Sequence, residues 1–313
     1  MPGRFRKTGR NKMLYCGWDG GGTKTEVCLT DESGRTVASA VFGPLNPNGA
    51  SREQVFETVR DCVRYMKEQA GDLNRIRALV IGMAGISNEG ARSMLEDALA
   101  EAGWTGDRHL AGDQDIALAG AVEGPGMLLI AGTGSVLSGR DAEGRPFRVG
   151  GYGYLIDDGG SGWAIGRDIL AAVVRAEDGR GPKTALTAMV FEQLGIRNVG
   201  ELITWLYAPE TGKRETAALA ALLPAALEQG DGAARAIAKK AADDLAEMAE
   251  AGWEKSRLRE GEMAFAGSIL QRMPGIRDAV ETRLRTSCPG LRIIESRGTP
   301  AEGAAKMARK IFE

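Results

Sequence analysis

The sequence predicts an α/β protein built from two α/β domains, with a largely helical segment inside the second. A strand, a glycine-rich turn and a second strand occur twice along the chain, with the same internal spacing in both copies. Around these copies, apolar stretches typical of buried strands alternate with amphipathic stretches typical of helices. With 313 residues, of which 43% are hydrophobic, the chain is long enough to bury two cores.

The repeated unit consists of a glycine turn followed by a hairpin turn. The first copy has the turn DGGGTKT at 19–25, and the second has AGTGS at 131–135. Each turn stands between apolar or alternating stretches, which predicts a three-stranded antiparallel meander in each copy. The threonine of the glycine turn and the glycine of the hairpin turn are eleven residues apart in both copies: Thr23 and Gly34, and Thr133 and Gly144. The matched spacing favours an internal duplication over two unrelated hairpins in a chain with 44 glycines.

The other elements follow the same alternation. They are a helix after the N-cap residue Ser51, a strand at 77–85, a short strand at 108–112, a helix at 116–122, a helix at 163–174, a nearly all-helical stretch at 184–258, strands at 263–267 and 291–294, and a terminal helix after Gly298. The predicted domains are therefore 13–120 and 121–313. The helical insertion of the second domain spans about 184–258, and the terminal helix is able to pack back on the first domain.

Composition excludes several classes of function. There are 40 Lys and Arg residues and 42 Asp and Glu residues, so the formal net charge is −2, and no global basic field favours nucleic acid or a membrane as partner. His109 is the only histidine, which excludes His-rich zinc sites and leaves Ser-His-Asp or Cys-His mechanisms to that one residue. The four cysteines include no C-x-x-C pair and are expected as buried thiols of a cytoplasmic protein.

The first twelve residues carry five basic and no acidic residues. No apolar segment or small-residue cleavage site follows them, so a solvated tail is predicted rather than a signal peptide. The longest apolar run, 126–131, is too short to span a bilayer.

Both glycine turns place several backbone N–H groups on a tight loop, where glycines can take positive φ and leave no side chain in the way. Such a loop is a nest for an anion, commonly phosphate, and two nests suit a polyphosphate. The predicted phosphate contacts are Gly21, Gly22, Thr23, Lys24 and Thr25 in the first turn and Gly132, Thr133 and Gly134 in the second. Asp19 would face the same anion, so we expect Mg²⁺ between them. The alternative is that Asp19 initiates the turn by binding its own backbone.

Seven motifs occur along the chain in a characteristic order: DGGGTKT (19–25), GPLNPNG (43–49), GMAG (82–85), GDQDIALAGA (112–121), AGTGS (131–135), GGYGYLIDDGGSGWAIGR (150–167) and FAGSI (265–269). In these motifs the chain resembles the ASKHA superfamily of actin-like ATPases and sugar kinases, and within it the BadF/BadG/BcrA/BcrD and N-acetylglucosamine kinase group. The resemblance covers the chain from about residue 14 to the end. It implies two ribonuclease-H-like domains with ATP and Mg²⁺ in a cleft between them. The activity implied is phosphorylation of N-acetylglucosamine, glucosamine or N-acetylmuramic acid.

The resemblance also implies roles for individual residues. Asp113 matches the family's catalytic aspartate, which accepts the proton of the sugar hydroxyl, and Asp115 is the alternative. Either carboxylate could instead cap the helix. The implied sugar contacts are Asn48, Ser135, Tyr152 and Asp158, and the implied nucleotide loop contains Gly267 and Ser268. A polar surface turn at 46–48 and an ordinary strand-to-helix connection at 265–269 are the alternatives.

The chain departs from the family at two positions. The kinases usually read GDEGS where this chain reads DDGGS at 157–161, so Gly159 replaces the family glutamate. Tyr152 takes a position often occupied by Trp. The departures affect the identity of the sugar more than ATP binding.

Two other functions fit the same fold. An ATPase that activates a partner enzyme is disfavoured because Cys16 and Cys28 lie in predicted strands and form no convincing iron–sulfur cluster pair. A non-catalytic sugar sensor is disfavoured because Asp19 and Asp113 are retained. The oligomeric state, including a homodimer, stays open at this point.

Overall fold

The structure of the protein is a computed structural model, which describes residues 13–47 and 49–312. The predicted sugar ligand Asn48 and the basic N-terminal segment lie outside the described residues. The described chain divides into two compact units. Unit 1 extends up to Glu123 and takes up the chain again from Ser296, whereas unit 2 is the continuous stretch Gly124–Glu295.

The described strands form two five-stranded sheets. In chain order they are β1 (Leu14–Gly20), β2 (Thr25–Asp31), β3 (Thr36–Phe42), β4 (Ile76–Met83), β5 (Asp107–Ala111), β6 (Gly126–Ala131), β7 (Ser135–Arg140), β8 (Pro146–Gly150), β9 (Gly261–Ala266) and β10 (Leu291–Ile294).

The α-helices of the same residues are α1 (Arg52–Ala70), α2 (Glu89–Glu101), α3 (Asp113–Ala121), α4 (Gly162–Glu177), α5 (Leu186–Leu194), α6 (Val199–Leu206), α7 (Lys213–Ala218), α8 (Leu223–Glu228), α9 (Gly232–Ser256), α10 (Ser268–Arg272), α11 (Pro274–Ser287) and α12 (Pro300–Phe312). Two short 3₁₀ helices lie at Leu73–Arg75 and Leu219–Leu222.

The sheet of unit 1 has the order β3-β2-β1-β4-β5. Strands β1, β2 and β3 form an antiparallel meander, whereas β4 and β5 run parallel to β1. In the parallel part, Asp19 is paired with Gly82, which is paired with Ala111. The carboxyl ends of parallel strands meet at one edge, so Asp19 and the residues directly after β5 lie at the same edge of the sheet.

The sheet of unit 2 repeats this topology in the order β10-β9-β6-β7-β8. Strands β6, β7 and β8 form the antiparallel meander, and β9 and β10 extend the sheet in parallel. Both predicted meanders are therefore confirmed. The fold is α/β, with one topology used twice.

Helix α12 packs against the sheet of unit 1 through small residues. A Cβ atom on Gly17 of β1 would overlap with the carbonyl oxygen of Ala301, and a Cβ on Gly303 would overlap with the carbonyl oxygen of Ile116 in α3. Ala304 and Ala308 are buried beside them. The absence of large side chains lets α12 lie directly on β1 and α3.

The core of unit 2 is formed by the sheet and the helices around it, including the predicted helical stretch, which consists of α5 to α9. Ser51 caps α1 through its side chain, as the sequence predicts, and also takes part in a capping box with Gln54. Helices α2, α10 and α11 are additional to the predicted elements.

None of the helices in residues 13–47 and 49–312 combines the length and apolarity needed to cross a bilayer. All four cysteines are buried free thiols. Burial raises their pKa values, that of Cys28 to about 11, so they are poor nucleophiles and poor metal ligands in this form.

Candidate functional site

The first glycine turn is a closed loop fastened to the segment that follows β3. The Gly21 N–H donates to the Lys24 carbonyl at 2.9 Å, and the Asn46 N–H donates to the Gly21 carbonyl at 3.1 Å. The hydroxyl of Thr25 donates to the Gly43 carbonyl at 2.8 Å. Thr25 is fully buried, so its side chain anchors the loop to the protein interior.

The tip of this turn is open to solvent. Gly22, Thr23 and Lys24 are exposed, as a loop that receives an anion requires. Neither Gly21 nor Gly22 has positive φ, so that part of the expectation is wrong. Close approach applies at Gly21, where a Cβ would lie 3.1 Å from the Lys24 carbonyl oxygen, and at Gly49, where a Cβ would lie 3.0 Å from the Gly22 carbonyl oxygen.

Asp19 is held in an environment that disfavours its negative charge. Its pKa is raised from 3.8 to about 6, first by desolvation, then by the charges of Glu26 and Asp113, while Lys24 opposes the shift. The charges of Glu26 and Asp113 thus act on Asp19 near the first glycine turn. A cation bound at Asp19 would offset this repulsion.

Asp113 and Asp115 both lie in the first turn of α3 but differ in what they bind. The Asp115 carboxylate accepts a hydrogen bond from the Gly112 N–H at 3.2 Å and so acts as the capping residue. Asp113 is the first residue of the helix, and its side chain is exposed. Desolvation by the surrounding protein raises the pKa of Asp113, the backbone N–H groups of the helix start oppose this, and the Asp115 charge adds to it.

The second glycine turn, in unit 2, is docked on the start of α4. The Gly132 carbonyl accepts from the Gly162 N–H at 2.7 Å, and the Thr133 carbonyl accepts from the Trp163 N–H at 3.2 Å. A Cβ on Gly132 would meet only open space. The turn therefore has free volume on its outer side, next to a helix N-terminus.

Three of the predicted nucleotide contacts line one cavity of about 670 Å³ within unit 2. Gly132, Thr133 and Ser268, the last at the start of α10, are all part of its lining. Arg214 and Arg272 add positive charge to the lining, and both side chains are exposed. The cavity thus combines the hydroxyl residues Thr133 and Ser268 with two guanidinium groups, a set that suits a phosphorylated ligand.

Gly267 joins β9 to α10 at the edge of this cavity. Its φ is +88°, a conformation that favours glycine, and a Cβ there would overlap with the backbone of Ala131. No other residue fits at this position, which places the N-terminus of α10 directly beside the end of β6.

The Asp158 carboxylate is buried and paired with Lys213. The Lys213 Nζ lies 2.6 Å from the Asp158 Oδ2, and the side chains are 32% and 4% exposed respectively. The φ of Asp158 is +62°, one of two positive values among the described non-glycine residues. This strained, buried carboxylate lies next to Gly134 of the second turn, where a Cβ would approach its Oδ2 to 2.8 Å.

The other predicted sugar ligands of unit 2 surround the same segment. The Ser135 hydroxyl is buried and donates to the Gly159 carbonyl at 2.7 Å, so it fixes the loop. Asp157 accepts from the Tyr152 N–H at 3.1 Å, and the ring of Tyr152 is 64% exposed with the Arg148 guanidinium 4.6 Å from its centroid. Tyr152, Asp157 and Gly159 line a separate cavity of about 590 Å³ in unit 2.

The space beside Gly159, where the family has a glutamate, is taken by Asp244 of α9. A Cβ on Gly159 would lie 3.1 Å from the Asp244 Cβ. The Asp244 carboxylate is paired with Lys240 at 2.9 Å. A carboxylate is thus present at this point of the structure, supplied from another element.

Sequence reasoning missed Lys213, Arg214, Arg272 and Asp244. Asp158 and Lys213 are 55 residues apart, and Lys213 stands in an ordinary charged stretch, so no local pattern marks it. Ser268 and Arg272 lie four residues apart in a short helix, and only the cavity connects them with the second turn.

The residues present fit both groups that the fold implies. The cavity of unit 2 offers donors and positive charge for a nucleotide. Asp19 offers a carboxylate whose raised pKa a divalent cation would lower. No group of three or more metal-ligating side chains lies together in the part of the chain that the structure describes, so phosphate oxygens and water would supply the other ligands.

Comparison with known proteins identifies the family. The chain is 31% identical over 297 residues to the N-acetylmuramic acid/N-acetylglucosamine kinase of Clostridium acetobutylicum, which covers 94% of this chain and 97% of that protein. It is 29% identical over 315 residues to the N-acetyl-D-glucosamine kinase of Dictyostelium discoideum, which covers 95% and 98%. The crystal structure of a Chromobacterium violaceum protein proposed to be an N-acetylglucosamine kinase superposes with a TM-score of 0.74 at 25% identity, over 94% of this chain and 98% of that one. The model of the BadF/BadG/BcrA/BcrD ATPase family matches residues 16–308, and the chain belongs to this family.

Proposed function

We propose that this protein is an ATP-dependent kinase that phosphorylates a hydroxyl group of an amino sugar, either N-acetylglucosamine or a relative such as glucosamine or N-acetylmuramic acid. Family membership and the activities for which the full-length relatives are named support this proposal. The main structural support is the difference between two nearby aspartates, Asp113 and Asp115, at the start of α3.

Asp113 is the proposed general base. Asp115 accepts the Gly112 N–H in a capping box, so we assign proton acceptance to Asp113, whose carboxylate is bound, in the described part of the chain, only by backbone N–H groups of its own turn. As the sugar oxygen bonds to the γ-phosphorus, its hydroxyl proton passes to Asp113, and the bond from phosphorus to the β–γ bridging oxygen breaks to release ADP. The raised pKa of Asp113 increases its affinity for that proton.

ATP is proposed to occupy the unit 2 cavity, with its phosphates against Gly132, Thr133 and the start of α10. Arg214 and Arg272 would balance phosphate charge. In unit 1, the loop 21–24 is proposed to bind phosphate. Asp19 would hold Mg²⁺ partly through water, and Mg²⁺ neutralises phosphate charge when bound.

The sugar is proposed to contact Asp158 and Tyr152, with Asn48 as a further ligand. The Asp158 Oδ2 is paired with Lys213, so Oδ1 is the proposed acceptor for a sugar hydroxyl. The Ser135 hydroxyl donates to the Gly159 carbonyl, so its proposed role is to hold this loop in place and not to contact the sugar directly. The buried free thiols support a reducing compartment, the cytoplasm, as the site of action.

The experiment is ATP consumption measured with a panel of free amino sugars and hexoses and with a control without sugar. We expect turnover only with an amino sugar. Turnover of ATP at the same rate without any sugar would contradict the proposal and favour an activator ATPase.

The assignment of the base is tested by a matched pair of variants. Asp113→Asn should reduce kcat by a factor of about 10² to 10⁴ while leaving nucleotide affinity within a few-fold. Asp115→Asn keeps a side-chain oxygen that can accept the Gly112 N–H, so it should leave stability nearly unchanged and keep most of the activity. The reverse pattern would move the role to Asp115. The base acts in its deprotonated form, and its pKa is raised. As the pH is lowered, kcat/KM of the wild type should therefore begin to fall at a higher pH than an ordinary aspartate would give.

A further inference from the structure

Lys213 is in direct contact with two elements of the proposed site. Its ammonium lies 2.6 Å from the buried Asp158 Oδ2, the proposed sugar ligand. The same Nζ lies 2.9 Å from the position that a Cβ would occupy on Gly134, in the second glycine turn. The Lys213 ammonium therefore contacts both the proposed sugar ligand and the predicted phosphate-binding turn, all within unit 2.

The ion pair is not a simple surface contact. The Asp158 side chain is almost fully buried, and its φ of +62° is maintained at a cost in backbone strain. The Lys213 side chain is about one-third exposed, so its ammonium can contact a ligand while it stays close to the Asp158 carboxylate. The ring of Tyr154, with its centroid 5.6 Å from Nζ, restricts the side chain from another direction.

A cation in contact with both groups suits phosphoryl transfer. The accepting hydroxyl of the sugar and the γ-phosphoryl group must meet, so a donor that contacts both the proposed sugar ligand and the predicted phosphate-binding turn would lie near the transferred group. Negative charge on the equatorial oxygens of that group is best balanced by a donor already in place.

We propose that Lys213 is a catalytic residue that binds the transferring phosphoryl group, and that Asp158 holds it in position before the substrates bind. The inference rests on the proposed kinase function. Lys213 donates hydrogen bonds to non-bridging oxygens. The sugar–phosphorus bond forms, the bond to the bridging oxygen breaks, and the hydroxyl proton goes to Asp113.

The test measures nucleotide discrimination, which needs no sugar turnover. Affinities for a non-hydrolysable ATP analogue, for ADP and for AMP are measured by calorimetry with Mg²⁺ present. Lys213→Met should weaken binding of the ATP analogue about tenfold or more, the size expected for a lost charge-assisted hydrogen bond, and leave ADP and AMP within about twofold. Lys213→Arg should recover part of the loss. Lys239→Met is the control, because it removes an exposed lysine that is paired with Asp243 at 2.5 Å in α9.

A second background separates binding from folding. Lys213→Met leaves the buried Asp158 carboxylate without its partner and could unfold the loop, so the same change is also made in Asp158→Asn, where no such charge remains. The selective loss for the ATP analogue is expected in both backgrounds.

Equal losses for all three nucleotides, or no loss for the ATP analogue, would overturn the role of Lys213 and leave a structural ion pair. If the wild type phosphorylates no amino sugar, the proposed function fails, while the nucleotide ratios still decide the role of Lys213.

Discussion

Replacing Asp19 with asparagine is expected to stabilise the folded protein at neutral pH while impairing its function. The pKa of Asp19 is raised from 3.8 to about 6 in the folded state, mainly by desolvation. In the unfolded chain the carboxyl has its ordinary pKa, so between about pH 4 and pH 6 the folded state binds more protons than the unfolded state. The stability of the wild type therefore falls as pH rises through this window, and the cost stays constant above it.

The magnitude follows from the difference between the two pKa values. At 1.36 kcal/mol per pH unit, a rise from 3.8 to about 6 corresponds to about 3 kcal/mol. This is a ceiling, because the amide of asparagine retains part of the desolvation cost. We expect Asp19→Asn to gain about 1 to 3 kcal/mol above pH 7 and almost nothing near pH 4.

The assay is urea denaturation of both proteins in EDTA at several pH values between 4 and 8. Asp31→Asn is the matched control in the same unit, because hydrogen bonds from Ser33 and Arg35 lower the pKa of Asp31. Its substitution should destabilise the protein at neutral pH, the opposite sign. With Mg²⁺ and an ATP analogue added, the wild type should gain more stability than Asp19→Asn. A stability difference between wild type and Asp19→Asn that does not change with pH, or a less stable variant at pH 7.5, would show that the charge of Asp19 does not destabilise the fold.

Two substitutions of glycine test the packing around the site. Gly267→Ala should lower the denaturation midpoint and weaken ADP binding, since this position combines a φ of +88° with a backbone overlap. Gly179 has a φ of +79° but no neighbour within 4 Å. Gly179→Ala should therefore cost only about 1 kcal/mol of stability and leave ADP binding unchanged. Equal effects of these two on ADP affinity would contradict the close approach. Gly303→Ala should cost about 1 to 3 kcal/mol because the added methyl group meets the backbone of α3, while Gly275→Ala in α11, with open space, should be neutral or stabilising in the same denaturation measurement.

The sequence was sufficient to predict the elements whose pattern is local. The two meanders could be predicted because each glycine turn lies between short apolar stretches, and β10 was predicted with the bounds Leu291–Ile294 that the structure has. Helix α11 was missed although Ile276, Val280 and Leu284 are buried at four-residue intervals, a helical signal that was present. Helix α2 buries only Leu95, Ala98 and Leu99, too weak a pattern to find.

The site divides in the same way. Motif position was enough to suggest Gly132, Thr133 and Ser268, which the structure places in one cavity. The different roles of Asp113 and Asp115 could not be assigned from the sequence, because they depend on which carboxylate accepts the Gly112 N–H. The proposed role of Lys213 also required the structure, because it depends on the ion pair with Asp158, which is 55 residues away in sequence. The roles of all these residues stay predictions until the variants are measured.

The late return of α12 to unit 1 has a consequence for how the protein is made. The ribosome completes the continuous unit 2 before residues 300–312 exist, yet the face of β1 around Gly17 packs against α12. At synthesis rates of about 5 to 20 residues per second, that face waits on the order of ten to forty seconds after Glu123 has been added. Over this interval the nascent first unit presents an uncovered strip of sheet, and a helix rich in glycine and alanine must then find it. Chaperone contact with nascent chains should accordingly concentrate on the amino-terminal half.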